Sequence, residues 1–279
     1  MLYIVIPVFN RLTYTRACLE ALRTQTEQGF QVVVVDDGST DGTAEALAAD
    51  YPEVTVLPGT GSLFWTAGVN LGLRHALELG AAWLMTMNND VVPYPDFVAQ
   101  MMRAAHSRPP ALYGAFELDA RTQEPVYAGG WLNWRTGSFR RLLDDVPPGQ
   151  RHGQHPTECL PGRGLLIPRA VFDRIGLFAA ELLPHYYADY DFTHQARLAG
   201  FEVYLNFDAC LGTYPDASGD QQNRQQRTLR NYYQHLFSIR GGANLRDFTL
   251  FARRNCPPRD LPLCLLTGYS RRLVGYFLR

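Results

Sequence analysis

Four consecutive valines, Val32–Val35, run straight into Asp36-Asp37-Gly38-Ser39. A β-branched run closed by a turn cluster suits a buried parallel strand, whose two faces are both covered. The pattern recurs. Leu2–Val8 is a short apolar run leading to Phe9-Asn10, Val54–Leu57 is another, and Trp83–Met87 closes on Asn88-Asn89-Asp90. Between these runs the apolar residues adopt helical spacing: Leu12, Cys18, Leu19 and Leu22 within residues 11–25, then Ala44, Leu47 and Ala48, then Val69, Leu73, Ala76 and Leu77 within 67–79. Strand and helix alternate, which predicts an α/β fold: a doubly wound, Rossmann-like, mostly parallel sheet with crossover helices.

The rhythm changes after residue 105. Phe97–Ala105 predicts a helix, Leu112–Phe116 a strand, and Val126–Leu143 a hairpin that turns at Arg135-Thr136-Gly137 and carries Trp131 and Trp134. Asp144–Pro156, rich in Pro, Gly and His, reads as a loop; Gly164–Ile167 as a strand; Arg169–Ile175 and Ala188–Ala199 as helices; Glu202–Asn206 as a strand. The expected organisation is one sheet-bearing domain over 1–215, in two halves that meet at about residues 105 and 106. A helical extension over 216–279 follows.

Several function classes are excluded by what the chain lacks. All 26 basic residues are arginine, so there is no lysine for a P-loop, a Schiff base or a pyridoxal phosphate anchor. No G-x-G-x-x-G follows the first strand, against a nicotinamide-dependent oxidoreductase, and no glycine-rich loop with a basic end opens the chain, against a sugar nucleotidyltransferase. Five scattered cysteines without a C-x-x-C pair argue against a disulfide framework or structural zinc and favour a reducing, cytoplasmic setting. Met1–Val8 reads as a first strand, lacking the basic start and cleavage site of a signal peptide. From Gln221 onward eleven arginines face two aspartates, nine net positive charges, which leaves ten net negative charges on 1–220. Within Asn255–Arg279 apolar residues alternate with Arg271, Arg272 and Arg279. Such a segment suits the inner face of an anionic membrane, a packing helix or a homo-oligomer contact.

In an open α/β sheet, ligands bind beyond the carboxyl ends of the strands. Three strand ends here, Pro7–Asn10, Asp36–Ser39 and Asn88–Asp90, bring carboxylates, amides and a glycine turn to one crevice. Acidic groups without lysine make a poor site for bare phosphate and a better one once a divalent cation neutralises both sides.

Ile6-Pro7-Val8-Phe9-Asn10, then Val34–Gly42, then Gly68-Val69-Asn70-Leu71-Gly72, Asn88-Asn89-Asp90, Pro161-Gly162-Arg163-Gly164 and Tyr187–Phe192 together resemble family 2 glycosyltransferases of the GT-A fold, over roughly residues 1–215. Within that family the chain looks most like bacterial rhamnosyltransferase-type enzymes of surface polysaccharide synthesis. The resemblance implies an inverting, metal-dependent transfer from a UDP- or dTDP-linked sugar to a saccharide or lipid-linked acceptor, with no nucleic-acid partner. It implies that Pro7, Val8, Phe9, Asn10, Asp36, Asp37, Asn70 and Asn89 hold the nucleotide. Trp65, Gly68, Asn88, Gly162, Arg163 and Gly164 would lie by the donor sugar and diphosphate, and Trp131 by the acceptor. Asp90, last residue of a motif that normally reads Asp-x-Asp, would bind Mg²⁺ or Mn²⁺; Asn88 at the first position leaves one fewer carboxylate. A late histidine that serves some relatives as a metal ligand has no counterpart in Cys210–Tyr214.

Inverting transfer needs a carboxylate to accept the acceptor hydroxyl's proton, a contribution of about 10²–10⁴ in rate. The family supplies it from a Glu-Asp pair opening a helix, and this chain has Ala188-Asp189 there. Residues two apart on a helix point about 200° from one another, so Asp189 and Asp191 cannot both face the crevice. Asp189 shares a stripe with Phe192 and Ala196 and is the preferred base, with Asp191 and His185 as supporting residues. A non-catalytic nucleotide-sugar-binding relative is the alternative reading.

Overall fold

The computed structural model describes residues 1–107, 110–215 and 228–278. The first part of the chain runs β1 (Leu2–Val8), α1 (Leu12–Arg23), β2 (Phe30–Asp36), α2 (Thr43–Asp50), β3 (Thr55–Pro58), α3 (Phe64–Glu78), β4 (Trp83–Thr86), β5 (Val91–Pro93) and α4 (Phe97–Ser107). It continues through β6 (Ala111–Asp119), β7 (Pro125–Tyr127), β8 (Gly130–Asn133), β9 (Ser138–Arg141), α5 (Leu142–Asp145), β10 (Gln154–Pro156), β11 (Leu165–Pro168), α6 (Arg169–Ile175), α7 (Ala188–Leu198) and β12 (Glu202–Thr213).

The main sheet has the order β10-β12-β6-β11-β4-β1-β2-β3, with β5 on β12 and β7 on β6. β1 pairs parallel with β2 and β4, β2 with β3, and β6 with β12, while β11 lies antiparallel between β4 and β6. The pleat sorts the core into two layers. Val5 and Val33 face α3 and α7, joining Val69, Leu73, Phe192 and Ala196. Ile4, Ile6 and Val34 face the opposite side, joining Leu19 and Leu22 of α1 and Val98 and Met101 of α4. This alternation is the period-2 geometry of a strand buried on both faces. Gly72 lets α3 lie close on the sheet, since a Cβ there would overlap Val5.

Several elements depart from the sequence expectation, among them β5, which was not expected, and β6, which runs on to Asp119. α3 begins at Phe64, one turn before residue 67, because the preceding loop is pinned at Leu63 and the chain enters the helix directly from it. β12 continues to Thr213 instead of ending at Asn206; its register with β6 shifts between Asn206 and Cys210, and the bulge absorbs exposed Asp208, which interrupts the apolar pattern. The segment read as a loop over 144–156 contains the end of α5 and the edge strand β10, where Pro156 is tolerated. The hairpin around 135–137 forms as expected, with Leu132 opposite Phe139.

Beyond the sheet come α8 (Leu229–Phe237), α9 (Leu245–Asn255) and α10 (Leu261–Leu278). Asp191 of α7 pairs with Arg254 at 2.9 Å and accepts a hydrogen bond from Asn255 at 2.7 Å, which fastens α9 to α7. α10 turns Cys264, Gly268 and Tyr276 inward, a four-residue spacing that defines a packing face. Its Arg272 guanidinium lies 3.5 Å from the centre of the Phe248 ring and donates to the Tyr187 hydroxyl at 2.6 Å. The opposite face exposes Leu263, Leu266, Leu273 and Val274. Among the described residues no helix is long and apolar enough to cross a membrane.

Candidate active site

The carboxyl ends of β1, β2, β4 and β6 open on one side of the sheet, and the polar clusters meet there. Asp36 Oδ1 accepts the Ser39 N–H at 2.9 Å, closing the turn after β2. Asn10 bridges this turn to the end of β1: its N–H donates to Ser39 Oγ at 2.8 Å, and its side-chain oxygen accepts the Thr40 N–H at 2.9 Å. Asp37 accepts three backbone N–H groups, from Thr60 at 3.1 Å, Gly61 at 2.7 Å and Leu63 at 2.8 Å. It thereby sets the loop that launches α3, and its own N–H donates to the Val8 carbonyl at 2.8 Å. Pro7 packs on Gly68, and Phe9 projects into solvent at the crevice edge, 41% exposed.

At the end of β4 the three motif residues diverge. Asn88 accepts the Trp65 indole N–H at 2.8 Å. Asn89 is buried and donates to Thr15 Oγ1 of α1 at 2.9 Å. Asp90 pairs with Arg11 at 2.9 Å. The Trp65 ring lies directly on Gly162, where any side chain would overlap it. Gly162 also binds on two further sides: its carbonyl accepts from Thr86 Oγ1 at 2.7 Å and its N–H donates to Asp189 Oδ2 at 3.0 Å. Gly164, at φ +72°, returns the chain to β11 with its N–H on the Thr86 carbonyl at 2.9 Å.

Asp189 stands in the first turn of α7, its other oxygen accepting the Tyr190 N–H at 2.9 Å. Burial pushes its carboxyl above the ordinary aspartate value, while the Gly162 and Tyr190 N–H groups and the Arg163 guanidinium pull it down. Arg163 forms an ion pair with Glu117 at 2.8 Å. Glu117 is fully buried near the end of β6; burial raises its pKa, Arg163 opposes the rise, and Asp90 and Asp189 add to it. These mutual effects bring Asp90, Glu117, Arg163 and Asp189 into one electrostatic cluster.

Glu117 was not among the sequence candidates, because an apolar strand with one acid near its end carries no motif. Tyr127 and Tyr190 were missed too. Their hydroxyls are 2.7 Å apart, and each ring also stacks with Phe139, at 5.9 and 5.5 Å between centroids. Burial raises both phenol pKa values, with Asp189 contributing in each case.

Several expected residues have other partners. Asn70 was expected at the nucleotide. Both its side-chain atoms are taken by Phe178, donating to the carbonyl at 2.8 Å and accepting the N–H at 3.1 Å, so it clamps α3 to the segment after α6. Asn89 was also expected at the nucleotide, and its amide N–H is turned onto Thr15 of α1. Asp191 was expected to support Asp189 and serves α9 instead. Trp131 lies on β8 under the Arg140 guanidinium, 5.3 Å from the ring centre. His185 lies beside the N-terminal turn of α3, since the adjoining Pro184 carbonyl accepts the Thr66 N–H at 3.1 Å; burial and the charge of Arg240 push its pKa down to about 4.

Among the described residues no three His, Cys, Asp or Glu side chains form a group able to hold a metal ion. Asp90 is the carboxylate at the motif's end, and the Asn88 side-chain oxygen is engaged by Trp65. One protein carboxylate is compatible with a Mg²⁺ or Mn²⁺ whose remaining ligands are substrate phosphates and water.

The glycosyl transferase family 2 model matches residues 3–166. This chain belongs to glycosyl transferase family 2. An uncharacterised glycosyltransferase from Rickettsia prowazekii is 25% identical over 300 residues, covering 98% of this chain and 86% of that protein. An N-acetylglucosaminyl-diphospho-decaprenol L-rhamnosyltransferase from Mycobacterium tuberculosis is 27% identical over 215 residues, 67% of each chain. Solved structures share the architecture at low identity. GalNAc-T7 with UDP, GalNAc and Mn²⁺ superposes with a TM-score of 0.63 at 13% identity, covering 76% of this chain and 43% of that one. S. aureus TarS 1–349 in complex with UDP gives 0.58 at 16% identity, covering 99% and 88%. The fold of this family 2 chain is the GT-A fold.

Proposed function

We propose that the chain is an inverting glycosyltransferase that moves a hexosyl or deoxyhexosyl group from a UDP- or dTDP-linked donor to a saccharide or lipid-linked saccharide in bacterial surface polysaccharide synthesis. The observation that carries the reading is the position of Asp189. Its carboxylate, raised in basicity by burial, shares one cluster with Arg163, Glu117 and Asp90, at the strand ends where an α/β sheet takes its ligand.

In this reading Asp189 accepts the proton of the attacking hydroxyl. The Gly162 N–H orients its Oδ2, and Arg163 faces the departing diphosphate with Glu117 fixing the guanidinium plane. Trp65, locked between Asn88 and Gly162, forms the wall against which the donor sugar rests. The backbone of Pro7–Asn10 with the Asp36 and Asp37 turn frames the nucleotide end. Asp90, paired with Arg11 here, is the residue that would hold a divalent cation together with the donor phosphates, and such an ion would supply positive charge for the leaving diphosphate. The mycobacterial rhamnosyltransferase and the two structures with UDP support a nucleotide-sugar donor, and the decaprenol in the mycobacterial relative's name supports a lipid-linked acceptor. The outer face of α10, with Leu266, Leu273 and Val274 beside Arg271, suits peripheral contact with an anionic membrane at the cytoplasmic side.

The test is transfer or hydrolysis of UDP- and dTDP-sugars by purified protein with and without Mn²⁺, comparing wild type with Asp189→Asn. Turnover by wild type and its loss in the variant is expected. Nucleotide binding without turnover on any donor would instead identify a binding relative.

A further inference from the structure

The connection between α8 and α9 passes over the mouth of the crevice. Its Arg240 guanidinium carbon sits 5.6 Å from the centre of the Phe9 ring and 5.8 Å from that of Phe64. These two rings belong to different walls. Phe9 follows β1 in the Pro7–Asn10 segment, and Phe64 opens α3 next to Trp65. Phe64 takes φ +54°, an uncommon conformation for an aromatic residue, and it is held there between the Asp37-bound Leu63 and the Pro184-bound Thr66. One arginine from the C-terminal helices therefore spans the two walls of the nucleotide end.

Two other arginines of the crevice have carboxylate partners within the protein: Arg11 pairs with Asp90, and Arg163, which faces the diphosphate from the β11 side, pairs with Glu117. Arg240 is solvent-exposed, and among the described residues no carboxylate pairs with it. Its neighbour His185 is held neutral by burial and by the arginine's own charge, so it adds no second positive charge. A guanidinium resting on π faces keeps its in-plane N–H donors directed outward. The arrangement is a preplaced anion receptor beside a slot walled by flat rings.

We infer that Arg240 is a donor-binding residue contributed by the C-terminal extension, and that its guanidinium takes the diphosphate of the nucleotide sugar. The inference rests on the nucleotide-sugar reading above. It assigns the extension a part in substrate recognition in addition to packing, and it makes the donor pocket incomplete without residues 228–278. Arginine suits the task because its planar fork matches phosphate oxygens two at a time.

The experiment measures binding of UDP, dTDP, uridine and thymidine to the full chain by titration calorimetry and NMR. Wild type is compared with Arg240→Ala, Arg240→Lys and Arg253→Ala, the last removing an exposed arginine of α9 as a control for net charge. Loss of one charge-assisted contact predicts nucleoside diphosphate binding weakened by about tenfold or more in Arg240→Ala. An intermediate loss is expected in Arg240→Lys, with little change in Arg253→Ala and little change in nucleoside binding throughout. Equal binding of UDP and dTDP by wild type and Arg240→Ala overturns the inference and leaves the donor reading standing. Equal weakening of nucleosides and diphosphates also overturns it, assigning Arg240 to the base or to the fold. Failure of wild type to bind any nucleoside diphosphate overturns both.

Discussion

Asp189 accepts the backbone N–H of Gly162 at 3.0 Å, so a single hydrogen bond joins the first turn of α7 to the loop entering β11. The same glycine carries the Trp65 ring on its bare α-carbon. The Asp189 carboxylate, the Trp65 ring and the chain reversal into β11 thus share one residue, and a disturbance of any one of them reaches the other two.

Asp189→Asn keeps the volume of the side chain and one acceptor oxygen while removing basicity. Transfer is expected to fall by about 10²–10⁴-fold, with a loss of stability of about 1 kcal/mol, since the amide leaves either the Gly162 or the Tyr190 N–H without its acceptor. In the proposed role Asp189 acts as the ionised carboxylate. Burial raises its pKa, so the acid limb of the pH–rate profile lies above the ordinary aspartate value of 3.8. Initial rates across pH, with denaturation curves for both proteins, check this.

Gly162→Ala sets a methyl group into the Trp65 ring. The indole must leave Asn88 or the loop must shift, at a cost of about 1–3 kcal/mol. Stability should fall, and Trp fluorescence should move toward that of a wetter indole. An unchanged emission spectrum would show that the ring does not rest on this glycine.

Asp191→Ala leaves Asn255 and Arg254 without their buried acceptor. Breaking such a pair costs about 3–5 kcal/mol when both members are buried; Arg254 retains access to water, which brings the expected loss to about 2–3 kcal/mol. The melting temperature should fall, and protease cleavage within α8–α10 should precede loss of the sheet. Asp191→Asn, which still accepts from Asn255, should lose less.

The sheet was legible because strand runs and turn residues agree locally: Val32–Val35 with Asp36–Ser39 specifies a strand and its stop without help from distant chain. The strand ends that form the crevice were legible for the same reason. The direction of each side chain was not. Asn70 and Asn89 stand within the right motifs, yet long-range partners, Phe178 and Thr15, decide where their amides point. Glu117 was invisible because its significance comes from Arg163, 46 positions away. Arg240 sat in a count of tail charges, and only the fold brings it over Phe9. The sequence likewise marked the C-terminal extension as helical but not the bounds of α10 or which of its stripes packs, because apolar residues occupy both of its faces.

His185 is neutral in the folded chain down to about pH 4, whereas an unfolded histidine titrates near 6.5. Between these values the unfolded state binds more protons, so stability present at neutral pH declines as pH falls from 6.5 toward 4. The contribution is at most about 3 kcal/mol from the size of the shift. His185→Gln, which does not titrate, should flatten the stability–pH curve within that window and leave it unchanged above pH 7. Urea denaturation at half-unit pH intervals measures both curves.

Arg11 holds Asp90 at 2.9 Å in the position where the motif would meet a cation, and both side chains remain partly exposed, 37% and 20%. An exposed ion pair is worth about 1 kcal/mol or less, small enough for a divalent ion carried by donor phosphates to displace. Cation binding and nucleotide binding should therefore be coupled: Mn²⁺ should bind weakly to the protein alone and more tightly once UDP is present, with UDP gaining by the same factor. Asp90→Asn should raise the Mn²⁺ concentration needed for half-maximal turnover and weaken the coupling. Arg11→Ala should lower that concentration by freeing the carboxylate. Titrations of Mn²⁺ with and without UDP on the three proteins test this, and equal Mn²⁺ requirements in wild type and Asp90→Asn would remove Asp90 from the cation site.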